Sequence, residues 1–592
     1  MVYIVPQPKK MEVTQEKFSL RYNTRIILDQ KWGVETYEYA KLLAKTIQEE
    51  TAIVAKILKG NKNTANNIVL AVSETELPTE GYTLDVCADG VRVAASTTVG
   101  LLYGIQSLRQ LIAGQGAVLE GLHVEDYPSL PNRGFYHDVT RGKVPTVETM
   151  KQFIDQMAYY KMNSLQLYVE HVYEFKECKA LNEELGYYTK EEMQELDEYC
   201  KERFIDFIPS LSTFGHLYEM LELDEYKHLR ACKDFVPCEN RWHERMDHHT
   251  VNPLLPESEE VVKSLIDQFI PAFTSETFNI CCDETFDLTY VDSDVDAGKL
   301  YVDFSKKIID HVKSKGKKVM MWGDVLLEYP ECIQDIPEDI VFLNWDYEPN
   351  PPEEKVRKFS ELGRKQIVCP GTGSWRRLCE HVAVEEQNIS KMVEYAYKYG
   401  ALGILNTNWG DWGNPASLDL TMYGTVLGAA KSWAADTAVD EAFYDAVNHL
   451  LYGADQAVQT LAEISAAQDL VKWMPFTVDY LEDRYQKEMK PKLPVFEFTE
   501  KNVELVQNTY KKCQETLFGK NWVYDEAREE MLICIEGICV MAELAAKLKG
   551  IAVERMTDTN EWLARFSEKW LVKNKQSELS TIQEMFEYLE NK

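Results

Sequence analysis

Short apolar runs separated by helical repeats dominate the middle of the chain. They are Gly134–Asp138, Ser164–Val169, Asp206–Leu211, Phe278–Cys282, Lys318–Trp322, Val341–Trp345, Gln366–Cys369 and Gly403–Thr407. Each has the length of a buried strand, and each is followed by a helical or loop segment. Eight such units in series predict a (β/α)8 TIM barrel over residues 126–435. The segment before it, residues 1–125, reads as a small α/β supporting domain. Arg25–Leu28 and Asn67–Val72 are strand candidates, and Thr36–Glu50 and Thr98–Leu111 helix candidates. Gly81–Val86 and Val91–Ala95 flank Ala88-Asp89-Gly90, a hairpin signal. A Pro-marked junction, Asp126–Pro131, separates this domain from the barrel. Residues 436–592 read as a helical bundle domain, with helices predicted over Glu441–Leu451, Lys501–Phe518, Asp525–Leu548, Glu561–Lys573 and Ser580–Asn591.

Composition narrows the function classes. Among 592 residues, 64 Lys+Arg against 97 Asp+Glu leave a net charge of -33. That disfavours nucleic acid and anionic membrane surfaces as partners. The 13 cysteines form no regular framework, and Cys281, Cys282, Cys534 and Cys539 lie in apolar elements, so buried, reduced thiols are expected. No signal peptide is visible in Met1–Pro6. The most apolar helix candidate, Met531–Leu544, carries Glu536 and Glu543, so no membrane span is expected and the expected compartment is the cytoplasm. No P-loop or dinucleotide fingerprint occurs, so no cofactor is expected. The oligomeric state stays open between monomer and homodimer.

Polar and aromatic residues recur where the barrel strands end. They include His137 and Asp138, Glu170 and His171, His216, Asp283 and Glu284, Trp322 and Asp324, Trp345 and Tyr347, Trp375, and Trp409, Asp411 and Trp412. In a barrel all of these ends face one mouth, where active sites are built. Asp283-Glu284 is the central pair. Strand alternation sends the two side chains in different directions, and repulsion with burial favours one retained proton, as a general acid requires. A solvated acidic turn is the alternative, and the tryptophans at four successive strands weigh against it. Indole faces suit the apolar face of a sugar ring, and carboxylates suit glycoside hydrolysis. Sequence neighbours cannot easily flank a scissile bond, so one acid would protonate the leaving oxygen while the substrate supplies the nucleophile.

These residues bring the chain to a known family. Phe278–Glu284, Arg133–Arg141, Ile208–His216, Met321–Asp324, Asn344-Trp345 and Asn408–Asp411 occur in the order and spacing of glycoside hydrolase family 20, the β-N-acetylhexosaminidases, which the first 430 or so residues resemble. The resemblance implies an exo-acting, retaining hydrolase of glycosides or oligosaccharides with a terminal N-acetylhexosamine. Glu284 would be general acid and then base, and Asp283 would orient the 2-acetamido group. Trp322, Trp345 and Trp409 would wall the N-acetyl pocket. Arg133 and Asp411 would bind the sugar hydroxyls, and His216 would support the acidic pair or the sugar. The chain departs from the family pattern twice. Glu170-His171 stands where an Asp-Asp pair is usual, and the seventh strand lacks its Tyr, for which Tyr347 is the substitute. Trp375 would line the pocket or an aglycone subsite. A sugar-binding protein that no longer hydrolyses, and a disaccharide-releasing relative, are the alternatives. His243, His248 and His249 cluster, but Asp247 breaks the HExxH pattern, so no metal is expected there.

Overall fold

The computed structural model describes residues 2–60, 65–232, 249–291, 296–485, 497–519 and 522–592. The first unit is a seven-stranded sheet of β1 (Lys10–Ser19), β2 (Arg25–Leu28), β3 (Lys56–Lys59), β4 (Asn67–Val72), β5 (Tyr82–Cys87), β6 (Gly90–Ala95) and β7 (Val118–Asp126), in the order β1-β7-β5-β6-β4-β2-β3. Helices Thr36–Thr51 and Thr98–Gln115 pack on it, and its apolar core extends to Trp433 at the end of a barrel helix. β1 pairs antiparallel with β7. It is an edge strand whose central residues are all exposed, so it lacks the apolar alternation by which strands are read from sequence.

The second sheet is all parallel and closes on itself, as the eight units predict. Its strands are β8 (Asn132–Asp138), β9 (Ser164–Val169), β10 (Asp206–Phe207), β11 (Ser210–Leu211), β12 (Thr277–Asn279), β13 (Lys318–Trp322), β14 (Val341–Trp345), β15 (Lys365–Cys369) and β16 (Gly403–Asn408). β16 pairs with β8 from Gly403↔Asn132 to Asn408↔His137, which shuts the barrel. β10 and β11 are one barrel strand broken at Ile208-Pro209, where proline has no N–H to give the ladder. β12 ends three residues earlier than the apolar run suggested. Cys281, Cys282 and Glu284 leave the strand in the left-handed region, with φ of 55°, 64° and 49°. The acidic pair therefore stands on a tight loop, and strand alternation does not set its directions.

After the barrel the chain is helical. Asp525–Leu548 runs through the centre, with Met531, Ile535, Ile538 and Met541 fully buried. Its three buried acids are all partnered: Arg565 Nη2 donates to Glu536 at 2.5 Å, Gln507 Nε2 donates to Glu543 at 2.8 Å, and Lys573 Nζ lies 3.6 Å from Glu530. That is how charge is tolerated in so apolar a helix. Among the described residues no helix is long and apolar enough to cross a membrane.

Candidate active site

The C-terminal ends of the barrel strands carry one continuous cluster of charge over an aromatic layer. Its centre is Asp283-Glu284, and the loop bearing them is pinned from several sides. Cys281 N–H donates to Asn279 Oδ1 at 2.9 Å, and Glu284 N–H donates to Asp324 Oδ2 at 3.0 Å. Thr213 Oγ1 donates to Ile280 O at 2.6 Å, and Tyr301 Oη donates to Cys282 O at 2.8 Å. Gly215 admits the loop: a Cβ there would stand 2.5 Å from Asp283 O. Left-handed backbone at a residue with a side chain costs roughly 1–3 kcal/mol, so three such residues in four persist only because these contacts hold them.

His216 sits between the two acids, its Nε2 3.3 Å from Asp283 Oδ2 and 3.3 Å from Glu284 Oε2. Burial alone would lower its pKa. The Asp283 charge and the bonds to both acids outweigh burial and push it up to about 10, so the ring is an imidazolium at neutral pH. His249 backs it by accepting the His216 backbone N–H at Nδ1, 3.1 Å away. Asp283 is shut in, whereas the Glu284 side chain keeps 24% of its surface open. A third carboxyl, Asp324, is pushed up to about 8 by burial and by the Asp283 charge.

Arg141 organises the other half of the mouth. Its guanidinium lies 3.1 Å from Asp138, 3.2 Å from Asp411 and 3.9 Å from Glu170, and 3.4 Å from His216 Nδ1. It also covers the Tyr168 and Trp409 rings at 5.0 and 5.2 Å. Asp138 Oδ2 accepts Gly410 N–H at 3.0 Å, which ties the loops after the first and last strands together. Burial raises the Asp411 pKa above its ordinary value although Arg141 opposes it.

Beneath this charge lies the aromatic layer. Trp322 and Trp409 meet at 6.0 Å, and Tyr347 stacks on Trp345 at 5.1 Å and 17°. Trp375 packs on Tyr347 at 5.1 Å, and Trp409 Nε1 donates to Tyr347 Oη at 2.7 Å. Cys281 belongs to the same buried cluster, which brings the acidic loop down onto the rings.

The structure thus brings Asp283, Glu284, His216, Trp322, Trp345, Tyr347, Trp375, Trp409 and Asp411 to one end of the barrel. It does not bring Arg133 there. That side chain is fully buried at the start of β8, where its Nη2 donates to Glu80 at 2.6 Å and its guanidinium stacks over Trp433 at 5.1 Å. It fastens the barrel to the first sheet, and the arginine at the mouth is Arg141. The signal is positional: Arg141 follows the strand and Arg133 lies at its start, and barrel sites form where strands end. His243 and His248 lie outside the described residues. Two groups of described residues have ligand atoms close enough to hold a metal ion, His216 with Asp283 and Glu284, and Asp419 with Glu526 and Glu530. Each already contains a cation of the protein, the His216 imidazolium in the first and the Lys573 ammonium in the second.

Comparison with known proteins gives two family matches: "Glycosyl hydrolase family 20, domain 2" over residues 1–127 and "Glycosyl hydrolase family 20, catalytic domain" over residues 130–433. A β-hexosaminidase of Porphyromonas gingivalis is 27% identical over 312 residues, covering 48% of this chain and 39% of that protein. A lacto-N-biosidase of Bifidobacterium bifidum is 24% identical over 388 residues, covering 62% and 32%. The chain therefore spans less than two fifths of the length of either curated relative. The crystal structure of a Flavobacterium johnsoniae chitobiase matches 99% of both chains with a TM-score of 0.64 at 17% identity, a likeness of fold.

Proposed function

This chain belongs to glycosyl hydrolase family 20, and we propose that it is an exo-acting, retaining β-N-acetylhexosaminidase using its substrate's acetamido group as nucleophile. The observation that carries this reading is the adjacency of Asp283 and Glu284 around one imidazolium, with Asp283 enclosed and Glu284 partly open. Two acids this close cannot stand on opposite faces of a sugar ring, as the two-carboxylate schemes require. They can serve neighbouring atoms of one substrate.

Glu284, the open member, protonates the glycosidic oxygen as the bond to C1 breaks. The acetamido oxygen attacks C1 from the other face. Asp283 accepts a hydrogen bond from the acetamido N–H and stabilises the positive charge of the oxazolinium ion that results. Glu284, now a carboxylate, takes a proton from water as that water opens the ring, so configuration is retained and Glu284 is restored. Proton transfer of this kind contributes about 10²–10⁴-fold, and a nucleophile held within the substrate adds a large proximity effect. Trp322, Trp345 and Trp409 enclose the acetamido group and exclude water. Tyr347 takes the Trp409 N–H and keeps its own proton for the acetamido oxygen. Asp411 and Arg141 bind the hydroxyls of the terminal sugar, and their ion pair closes the pocket behind it, which favours release of single residues over disaccharides.

The substrate class is a glycoside or oligosaccharide ending in β-linked GlcNAc or GalNAc. Cys281, Cys282, Cys369 and Cys539 are free, buried thiols, which fits a reducing compartment such as the cytoplasm. The test is release of 4-nitrophenol from its β-N-acetylglucosaminide and β-N-acetylgalactosaminide by the purified protein. No turnover of either, with GlcNAc still bound, would leave a sugar-binding protein in its place.

A further inference from the structure

The C-terminal helices take no part in the chemistry above, yet they grip both loops that carry Arg141 and Asp411. The connection between the last two helices, residues 574–578, runs beside residues 142–146 and forms an antiparallel bridge between Asn574 and Pro145. Thr146 N–H donates to Lys573 O at 2.9 Å, Lys575 N–H to Val144 O at 2.8 Å and Glu578 N–H to Gly142 O at 3.1 Å. Ser577 Oγ accepts Val144 N–H at 3.1 Å. The segment immediately after Arg141 is therefore held almost residue by residue.

The second loop is held from the same side. Trp473 Nε1 donates to the carbonyl of Trp412, the neighbour of Asp411, at 2.9 Å. Trp412 is left-handed, with φ of 65°. Trp473 itself is buried and packs on Phe586 of the last helix. The two loops touch where Gly142 meets Gly413: a Cβ on Gly142 would stand 2.8 Å from Gly413 Cα, and Gly142 has φ of +97°. Lys143 Nζ spans the loops by donating to Ala416 O at 2.6 Å, and it lies 4.3 Å from the Trp570 ring centroid. Lys573 reaches from its helix end to Asp419, just beyond the second loop, and to Glu526 at 3.0 Å.

We infer that the C-terminal helical unit is a clamp that sets the Arg141–Asp411 pair, with Trp473 and Ser577 as positioning residues for recognition of the terminal sugar. This rests on the reading that the pair binds that sugar's hydroxyls. Both arms of the pair sit on irregular backbone, and irregular loops hold a binding geometry only when a supporting shell fixes them. The clamp acts on the ring-binding half of the mouth. The acidic loop has its own supports in Asn279, Thr213, Tyr301 and Asp324, all from the barrel and its helices.

Trp473→Phe keeps a packed ring and removes the N–H, and Ser577→Ala, the milder change, removes the acceptor for Val144. Two readouts on the full chain test the clamp. In hydrogen–deuterium exchange, peptides covering 138–146 or 409–414 should exchange faster in these variants, while 277–284 stays unchanged. In kinetics with the 4-nitrophenyl glycoside, KM should rise about three- to tenfold with kcat within about twofold, the size of one lost hydrogen bond. In an Asp411→Asn background that rise should vanish, because the clamp acts through Asp411 and its partner. Unchanged exchange in both loops overturns the inference whether or not the protein hydrolyses anything. Faster exchange with an unchanged KM overturns it too, as does a KM effect that adds in full to Asp411→Asn. A wild type without turnover would remove the hydrolase reading, and the exchange data would still decide the clamp.

Discussion

Arg141 Nη1 stands 3.2 Å from Asp411 Oδ1, joining the loops that follow the first and last barrel strands. Asp138 and Glu170 face the same guanidinium. The guanidinium, with the His216 imidazolium beside it, faces three carboxylates that can also accept the hydroxyls of a bound sugar. Asp411→Asn should therefore lower kcat/KM about 10- to 100-fold, the effect of one charged hydrogen bond, at an unchanged melting temperature. Steady-state kinetics beside a thermal melt checks it.

Glu284→Gln removes the proton donor and keeps the shape. The loss in kcat should reach about 10²–10⁴-fold with a natural disaccharide, whose leaving alcohol needs protonation. It should be smaller with 4-nitrophenol, which leaves as an anion. Equal losses with both leaving groups would remove Glu284 from the role of acid.

Much of this was readable before the structure, and the failures have physical causes. Every barrel strand was visible because parallel strands covered on both faces are continuous apolar runs. β1 was not, because an exposed edge strand such as Lys10–Ser19 has no apolar face to betray it. The acidic pair was legible as chemistry and not as geometry. Nothing in Ile280–Glu284 announces left-handed backbone at two cysteines and a glutamate, since tertiary contacts impose it. The resemblance assigns the sugar contact to Arg133, yet Arg133 lies at the start of β8 and Arg141 follows its C-terminal end, where barrel sites form. The sequence places His249 only in a histidine cluster without a metal pattern, whereas it supports His216 through a contact between segments 33 residues apart.

The titrating groups give a pH signature. Asp324 is held up at about 8 against an ordinary carboxyl near 3.9, so its proton stabilises the fold and that contribution is lost as pH rises from about 4 through 8. His216, raised to about 10, contributes stability that is full below about 6.5 and is lost as pH approaches 10. Both act in the same direction, so the wild-type melting temperature should fall on the alkaline side. Asp324→Asn stays neutral and can still accept Glu284 N–H. It should melt higher than wild type at pH 9 and no higher near pH 4, and a constant difference across that range would show that Asp324 carries no proton.

Tyr347→Phe deletes a hydroxyl that Trp409 N–H donates to. It should lower kcat about 10- to 100-fold with a smaller change in KM, because the acetamido oxygen needs this donor most as it attacks. An unaltered kcat would take Tyr347 out of the mechanism.

The central claim is that the substrate's own acetamido oxygen is the nucleophile, oriented by Asp283. It is tested most directly by a series of 4-nitrophenyl glucosaminides bearing N-acetyl, N-fluoroacetyl, N-difluoroacetyl and N-trifluoroacetyl groups. Each fluorine weakens the oxygen as a nucleophile and changes the leaving group not at all. The account predicts that kcat/KM falls at every step for the wild type. A rate indifferent to fluorination would contradict it.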